Sequence, residues 1–203
     1  MTKFIEIPAS KKSISLRRPI FGVGINDADY FVRIKVNGKT ISCPYYVKWS
    51  SMLNRCYYDK ENARHPSYIG CTVTKDWLTF SKFKSWMKSQ KWQGLQLDKD
   101  LLVQGNRVYS PETCLFVTSA INTLLLDRKD DRGKYPQGVS FKRLNNKFVA
   151  QISINGTRKH LGLFPTLEEA SEEYKTAKYA LIKQLALQQA DPLKSALLAY
   201  KIP

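Results

Sequence analysis

Two groups of residues in this chain have types and spacings that could do chemistry. Asp98 and Asp100 flank Lys99, so on a strand their carboxylates would share one face, and hard oxygen ligands of that kind suit Mg2+. Asn106 and Asn122 could complete or orient such a site. A plainer reading of the same residues stays open: Asp98 and Asp100 pair with Lys99 or Arg107, and Asn106 closes a Gly105-Asn106 turn. The second group is residues 132–167, which hold seven Lys or Arg and no Asp or Glu. Cations without neighbouring acids suit a polyanion, because those that neutralise phosphates release condensed counterions.

The elements that must position the basic group can be read from alternation and turn residues. Val139 to Lys142, Phe148 to Ile154 and Arg158 to Leu163 form three short strands, joined by turns at Asn145-Asn146 and Asn155-Gly156. Alternation puts Val139, Phe141, Phe148, Ala150, Ile152, Ile154, Leu161 and Leu163 on an apolar face. The opposite face carries Ser140, Lys142, Val149, Gln151, Ser153, Arg158, His160 and Gly162. Lys147 and Lys159 lie at its margins, and Arg143 joins these polar residues as a DNA-contact candidate. Thr166, with Glu169 three residues on, opens a capped helix. Leu167, Ala170, Tyr174, Ala177, Leu181 and Leu185 recur along it at a spacing that covers the apolar face.

Upstream, Tyr30–Val36, Asn37-Gly38 and Lys39–Cys43 predict a tight hairpin. A helix over Tyr45–Tyr57 presents Tyr46, Trp49, Leu53, Cys56 and Tyr57. A second, over Leu78–Gln90, presents Phe80, Phe83, Trp86 and Met87. After an extended stretch at Leu95–Val103, a third helix runs over Thr118–Leu126. Gly22-Val23-Gly24 lacks the third glycine and the helix of a nucleotide loop. We expect an α+β chain of two small domains: a basic arm at 1–20 that orders on a partner, a domain at 21–126, a linker at 127–134, a domain at 135–188, and a short C-terminal helix at 189–203 with Leu193, Leu197 and Leu198 facing a core.

The 203 residues carry a formal charge of +16. The four cysteines form no Cys-x-x-Cys pair and read as buried, reduced thiols rather than a zinc site. With no apolar leader and no run of 18 apolar residues, neither secretion nor a membrane is indicated. A cytoplasmic protein is expected, with neither a membrane nor a small-molecule substrate as partner; the oligomeric state is not readable.

Gly138-Val139, Phe148-Val149-Ala150-Gln151-Ile152, Leu161-Gly162-Leu163-Phe164 and Thr166-Leu167-Glu168-Glu169-Ala170 resemble the Apetala-two / ethylene-response-factor family of DNA-binding domains. The resemblance implies double-stranded DNA as partner, read in the major groove by the sheet. It gives contact roles to Ser140, Lys142, Gln151, Ser153, Arg158 and His160. Plant members carry arginine at the places of Ser140 and Ser153 and tryptophan at that of His160, so the target sequence does not transfer.

Leu97-Asp98-Lys99-Asp100, Gly105-Asn106, Tyr109-Ser110-Pro111-Glu112-Thr113-Cys114-Leu115-Phe116-Val117 and Asn122 are similar to the HNH module of phage homing endonucleases. Trp49-x-x-Met52-Leu53-x-Arg55-Cys56-Tyr57 and Cys71-x-Val73-x-x-x-Trp77-x-x-Phe80 extend that similarity. It implies a degenerate ββα fold, a bacterial host's cytoplasm as location, and a metal-dependent site in which Asp98, Lys99, Asp100, Asn106 and Asn122 are the catalytic candidates and Asp98 and Asp100 the Mg2+ ligands. The family's catalytic histidine falls on Lys99, and a lysine near its usual pKa is a poor base. Two functions follow: a DNA endonuclease or nickase, and a catalytically inactive regulator or architectural protein on a nuclease fold.

Overall fold

A computed structural model describes residues 3–126, 133–154 and 156–202. Most of the expected linker, 127–132, and Asn155 of the second sheet turn lie outside them. The chain is α+β and divides into two compact units, Met1–Phe116 and Val117–Pro203. The division therefore falls before the third expected helix rather than at 127–134.

The first unit begins with α1 (Lys11–Ser15). The arm expected to be unattached is instead part of the fold. The Arg17 guanidinium donates to the carbonyls of Asn26, Ala28 and Tyr30, and Ile7 and Ala9 make backbone hydrogen bonds to Phe31 and Asp29. A count of basic residues could not show this, because Arg17 is spent on backbone carbonyls.

β1 (Arg33–Val36) and β2 (Lys39–Ser42) form the expected hairpin. Asn37 and Gly38 both have positive φ, 49° and 75°, as a tight primed turn requires. Next come α2 (Pro44–Tyr57), α3 (Asp59–Arg64), β3 (Thr72–Val73), α4 (Phe80–Lys88), β4 (Gln96–Asp98), β5 (Val108–Tyr109) and β6 (Leu115–Val117). β3 pairs in parallel with β5, and β4 pairs with β6. The aromatic stripes meet in the core: Trp49, Met52 and Leu53 of α2 and Phe80, Phe83 and Met87 of α4 are fully buried. The Trp49 indole N–H donates to the Trp77 carbonyl at 2.7 Å. The extended stretch expected at Leu95–Val103 ends at Asp98, where the chain bends.

The second unit opens with α5 (Ser119–Leu125), capped by Thr118, whose hydroxyl accepts from Ile121 N. α5 belongs here because its C-terminal carbonyls are taken here: the Tyr200 hydroxyl donates to Leu125 O and the Gln137 amide to Leu126 O. A ββα arrangement with α5 as its helix is therefore divided between the units.

β7 (Val139–Lys142), β8 (Lys147–Ile154) and β9 (Thr157–Phe164) form an antiparallel sheet in that order. α6 (Leu167–Ala186) packs on it, with the Thr166 hydroxyl accepting from Glu169 N at 3.2 Å. α7 (Leu193–Leu198) follows, with Leu197 buried but Leu198 39% exposed, contrary to expectation.

The buried row of α6 is Ala170, Tyr174, Lys178, Ile182 and Ala186, so in its second half the stripe is turned one residue from the Leu181/Leu185 reading. Lys178 is not among the apolar residues whose spacing defines the stripe. Its ammonium is nonetheless inside, donating to Gln137 Oε1 at 2.8 Å. Gly138, entering β7 with φ of 77°, lies against the Tyr174 ring, and a Cβ there would come within 2.0 Å of it. Among the described residues, no helix is long and apolar enough to cross a membrane.

Candidate nucleic-acid interface

Cross-strand partners share a face, so the register sorts the sheet directly. Val139, Ala150, Ile152 and Phe148 lie toward α6, with Ala150 and Ile152 buried. The outer face is then a series of rows: Lys142 with Lys147, Ser140 with Val149 and Leu163, Gln151 with His160, and Ser153 with Arg158.

One expectation fails here. The pairing shifts between Ala150 and Gln151, so Ala150 faces Gly162 while Gln151 faces His160, and Leu161 is the extra residue of a bulge. Leu161 packs into the core with Phe164, as expected, but Gly162 falls on the inner face and Leu163 on the outer one. Strict alternation had these two reversed. Gly162 was the available signal, since a glycine inside a strand often marks a bulge. Lys159 pairs with Ile152, at the edge of the inner face.

Lys142, Arg143, Lys147, Arg158, Lys159 and His160 are all exposed. Among the described residues, no carboxylate lies within ion-pair distance of the five Lys and Arg. The described acids of this unit are Asp191 and, on α6, Glu168, Glu169, Glu172 and Glu173; all are exposed, and none is on the sheet. Gln151 is half-buried and less open than expected, while Ser153 is exposed. They line a groove of about 480 Å³ with Thr123 of α5 and Leu181 and Leu185 of α6, and Arg158 stands at the same groove. Alternation within three strands says nothing of a helix arriving from upstream.

The carboxylate group has a different character. Asp98 is the last residue of β4, and its Oδ1 accepts from Asp100 N (3.0 Å) and Leu101 N (2.8 Å). Lys99 is buried, and its ammonium donates to Asp100 Oδ2 and to the Asn106 carbonyl, both at 3.0 Å. The Asn106 amide donates to the carbonyls of Lys99 (2.6 Å) and Val108 (2.7 Å). Arg107 takes no part; its guanidinium donates to the Ile69 carbonyl. Asn122 is on α5, in the other unit.

This set does not fit Mg2+. The strand ends before the two carboxylates can alternate on one face, Asp98 is turned onto backbone amides, and the cation beside Asp100 is the Lys99 ammonium. Among the described residues, no three His, Cys, Asp or Glu side chains gather in a way that could hold a metal ion. Burial, and after it the Asp100 charge, push the Asp98 carboxyl above its ordinary value. All four cysteines are free and buried. Burial pushes the thiols of Cys56 and Cys114 up to about 12, which keeps them neutral and poor as ligands or nucleophiles.

Compared with known proteins, the chain matches no family model, no curated protein and no solved structure. The functional reading therefore rests on these residues and their geometry.

Proposed function

We propose that this protein binds double-stranded DNA sequence-selectively through the outer face of β7–β9, and that its 98–106 loop serves the fold rather than strand cleavage. The observation that carries the first statement is the set of exposed cations Lys142, Lys147 and Arg158, with no described carboxylate in ion-pair distance, on one face of a three-stranded ribbon. Strands about 4.8 Å apart make the ribbon's backbone about 10 Å across, which suits a major groove about 12 Å wide. The terminal rows supply ammonium and guanidinium groups for phosphates or guanine, and the Gln151–His160 row supplies base-edge donors and acceptors. The resemblance to phage homing endonucleases supports descent from that class. The hydrogen bonds among Asp98, Lys99, Asp100 and Asn106 support the reading in which binding has outlived chemistry.

Fluorescence anisotropy of a labelled random-sequence duplex, titrated with full-length protein across a salt series, tests the binding. The expected result is saturable binding whose log affinity falls linearly with log salt. No saturable binding at low salt would falsify the proposal. Selection of bound fragments from a random duplex pool then tests selectivity, which an unenriched pool would refute.

A further inference from the structure

The bulge at Leu161 has a chemical result on the outer face. By turning Leu163 outward beside Val149, it makes one apolar row across β8 and β9, in register with Ser140 of β7. Leu163 is 37% exposed and Val149 is half-buried. Apolar side chains scattered singly on a surface need no explanation. These two are cross-strand partners, with the Lys142–Lys147 row on one side and the Gln151–His160 row on the other.

Successive outer rows are two residues apart, so the four rows span about 20 Å along the strands. At about 3.4 Å per base pair that is about six base pairs of duplex. The apolar row then falls inside the contact stretch rather than at its rim. In the major groove the only apolar feature of a base edge is the 5-methyl group of thymine, which hydrophobic side chains contact directly.

We infer that Val149 and Leu163 form a pyrimidine 5-methyl reader, giving the sheet a preference for thymine at the position the row faces. This rests on the duplex-binding proposal and refines it from groove occupation to a particular base feature. Replacing thymine by deoxyuracil removes the methyl group while keeping every hydrogen-bonding group, so it isolates the contact. A clamp on the phosphates alone would not register the exchange.

The test compares full-length protein on two duplexes of equal length, alternating dA·dT and alternating dA·dU. The wild type is expected to bind the dA·dT duplex about fourfold more tightly for each methyl buried, the factor that a methylene-sized group brings. Leu163→Ser should bring the ratio of the two affinities toward one. Val149→Thr, of the same shape and also β-branched, repeats the test at a second position should the serine variant fold poorly. Equal wild-type affinities would overturn the methyl reader and leave duplex binding standing. A preference that survives in folded variants would overturn the assignment to these residues. Binding to neither duplex would remove the groove proposal and this one with it.

Discussion

Lys99 and Asn106 grip each other through their backbones: the Asn106 amide donates to the Lys99 carbonyl at 2.6 Å, and the Lys99 ammonium donates to the Asn106 carbonyl at 3.0 Å. With Val108 N also donating to Asn106 Oδ1, the loop between β4 and β5 is closed by side chains instead of by a backbone ladder.

Asn106→Ala removes both amide donations and the acceptor of Val108 N, leaving the Lys99 carbonyl short of a partner, while the Val108 carbonyl keeps the Thr113 hydroxyl. We expect a loss of about 1–3 kcal/mol in unfolding free energy, measured by denaturant titration. Wild-type protein with Mg2+ or Mn2+ should not nick supercoiled plasmid. Nicking that Asp98→Ala/Asp100→Ala abolishes would sink the structural reading of this loop.

Asp98 tests the same loop through pH. Its folded-state carboxyl holds a proton more tightly than the unfolded one, because burial and then Asp100 oppose the charge. The resulting stability is complete below the ordinary aspartate value of about 3.9 and is lost as pH rises through the raised, folded-state value. Asp98→Asn keeps an oxygen for the amides of Asp100 and Leu101 and removes the charge. It should lose less stability than wild type between acid and neutral pH and match or exceed it at neutrality. Asp98→Ala, lacking the oxygen, should be less stable at every pH. An asparagine variant that fails at neutrality as the alanine does would mean that the charge itself is needed.

On the sheet, Arg158→Ala should weaken the preferred site by about 1–3 kcal/mol, as loss of a guanine contact does, and relax selectivity there. Lys147→Ala should weaken all duplexes alike and lower the magnitude of the salt slope by about 1. Identical, sequence-independent effects from both would reduce the sheet to a nonspecific clamp.

Gly138→Ala forces a side chain into a left-handed backbone and into the Tyr174 ring. We expect a destabilisation of about 2–4 kcal/mol from strain and overpacking together, read as a lower thermal midpoint. An unchanged midpoint would mean that Tyr174 moves aside freely.

Periodicity and turn chemistry located most elements. Asn37-Gly38 gives its hairpin, Thr166 caps its helix, and the Trp49 and Phe83 stripes are core. The misses share a cause: each depends on a partner distant in sequence. Arg17 reads as a loose cation until the Asn26–Tyr30 carbonyls are brought to it, and Lys178 falls outside an apolar stripe until Gln137 reaches it. α5 reads as the end of the first domain until Gln137 and Tyr200 take its last carbonyls. At the candidate site, the exposed cations were legible because nothing needed to meet them. The reversal of Gly162 and Leu163 was not, because a single extra residue changes the parity of every side chain beyond it.

Glu168, Glu169, Glu172 and Glu173 stand in the first two turns of α6, and Lys142, Lys147 and Arg158 on the outer face of the sheet, so these described charges of opposite sign are held apart. In the field of a polyanionic rod a body so charged feels a torque as well as a pull, so its approach is aligned before any contact forms. Reversing the glutamates to lysine would raise the overall attraction and abolish the alignment. The signature is faster first encounter with a smaller fraction of productive ones, a kinetic effect that equilibrium affinity alone would conceal.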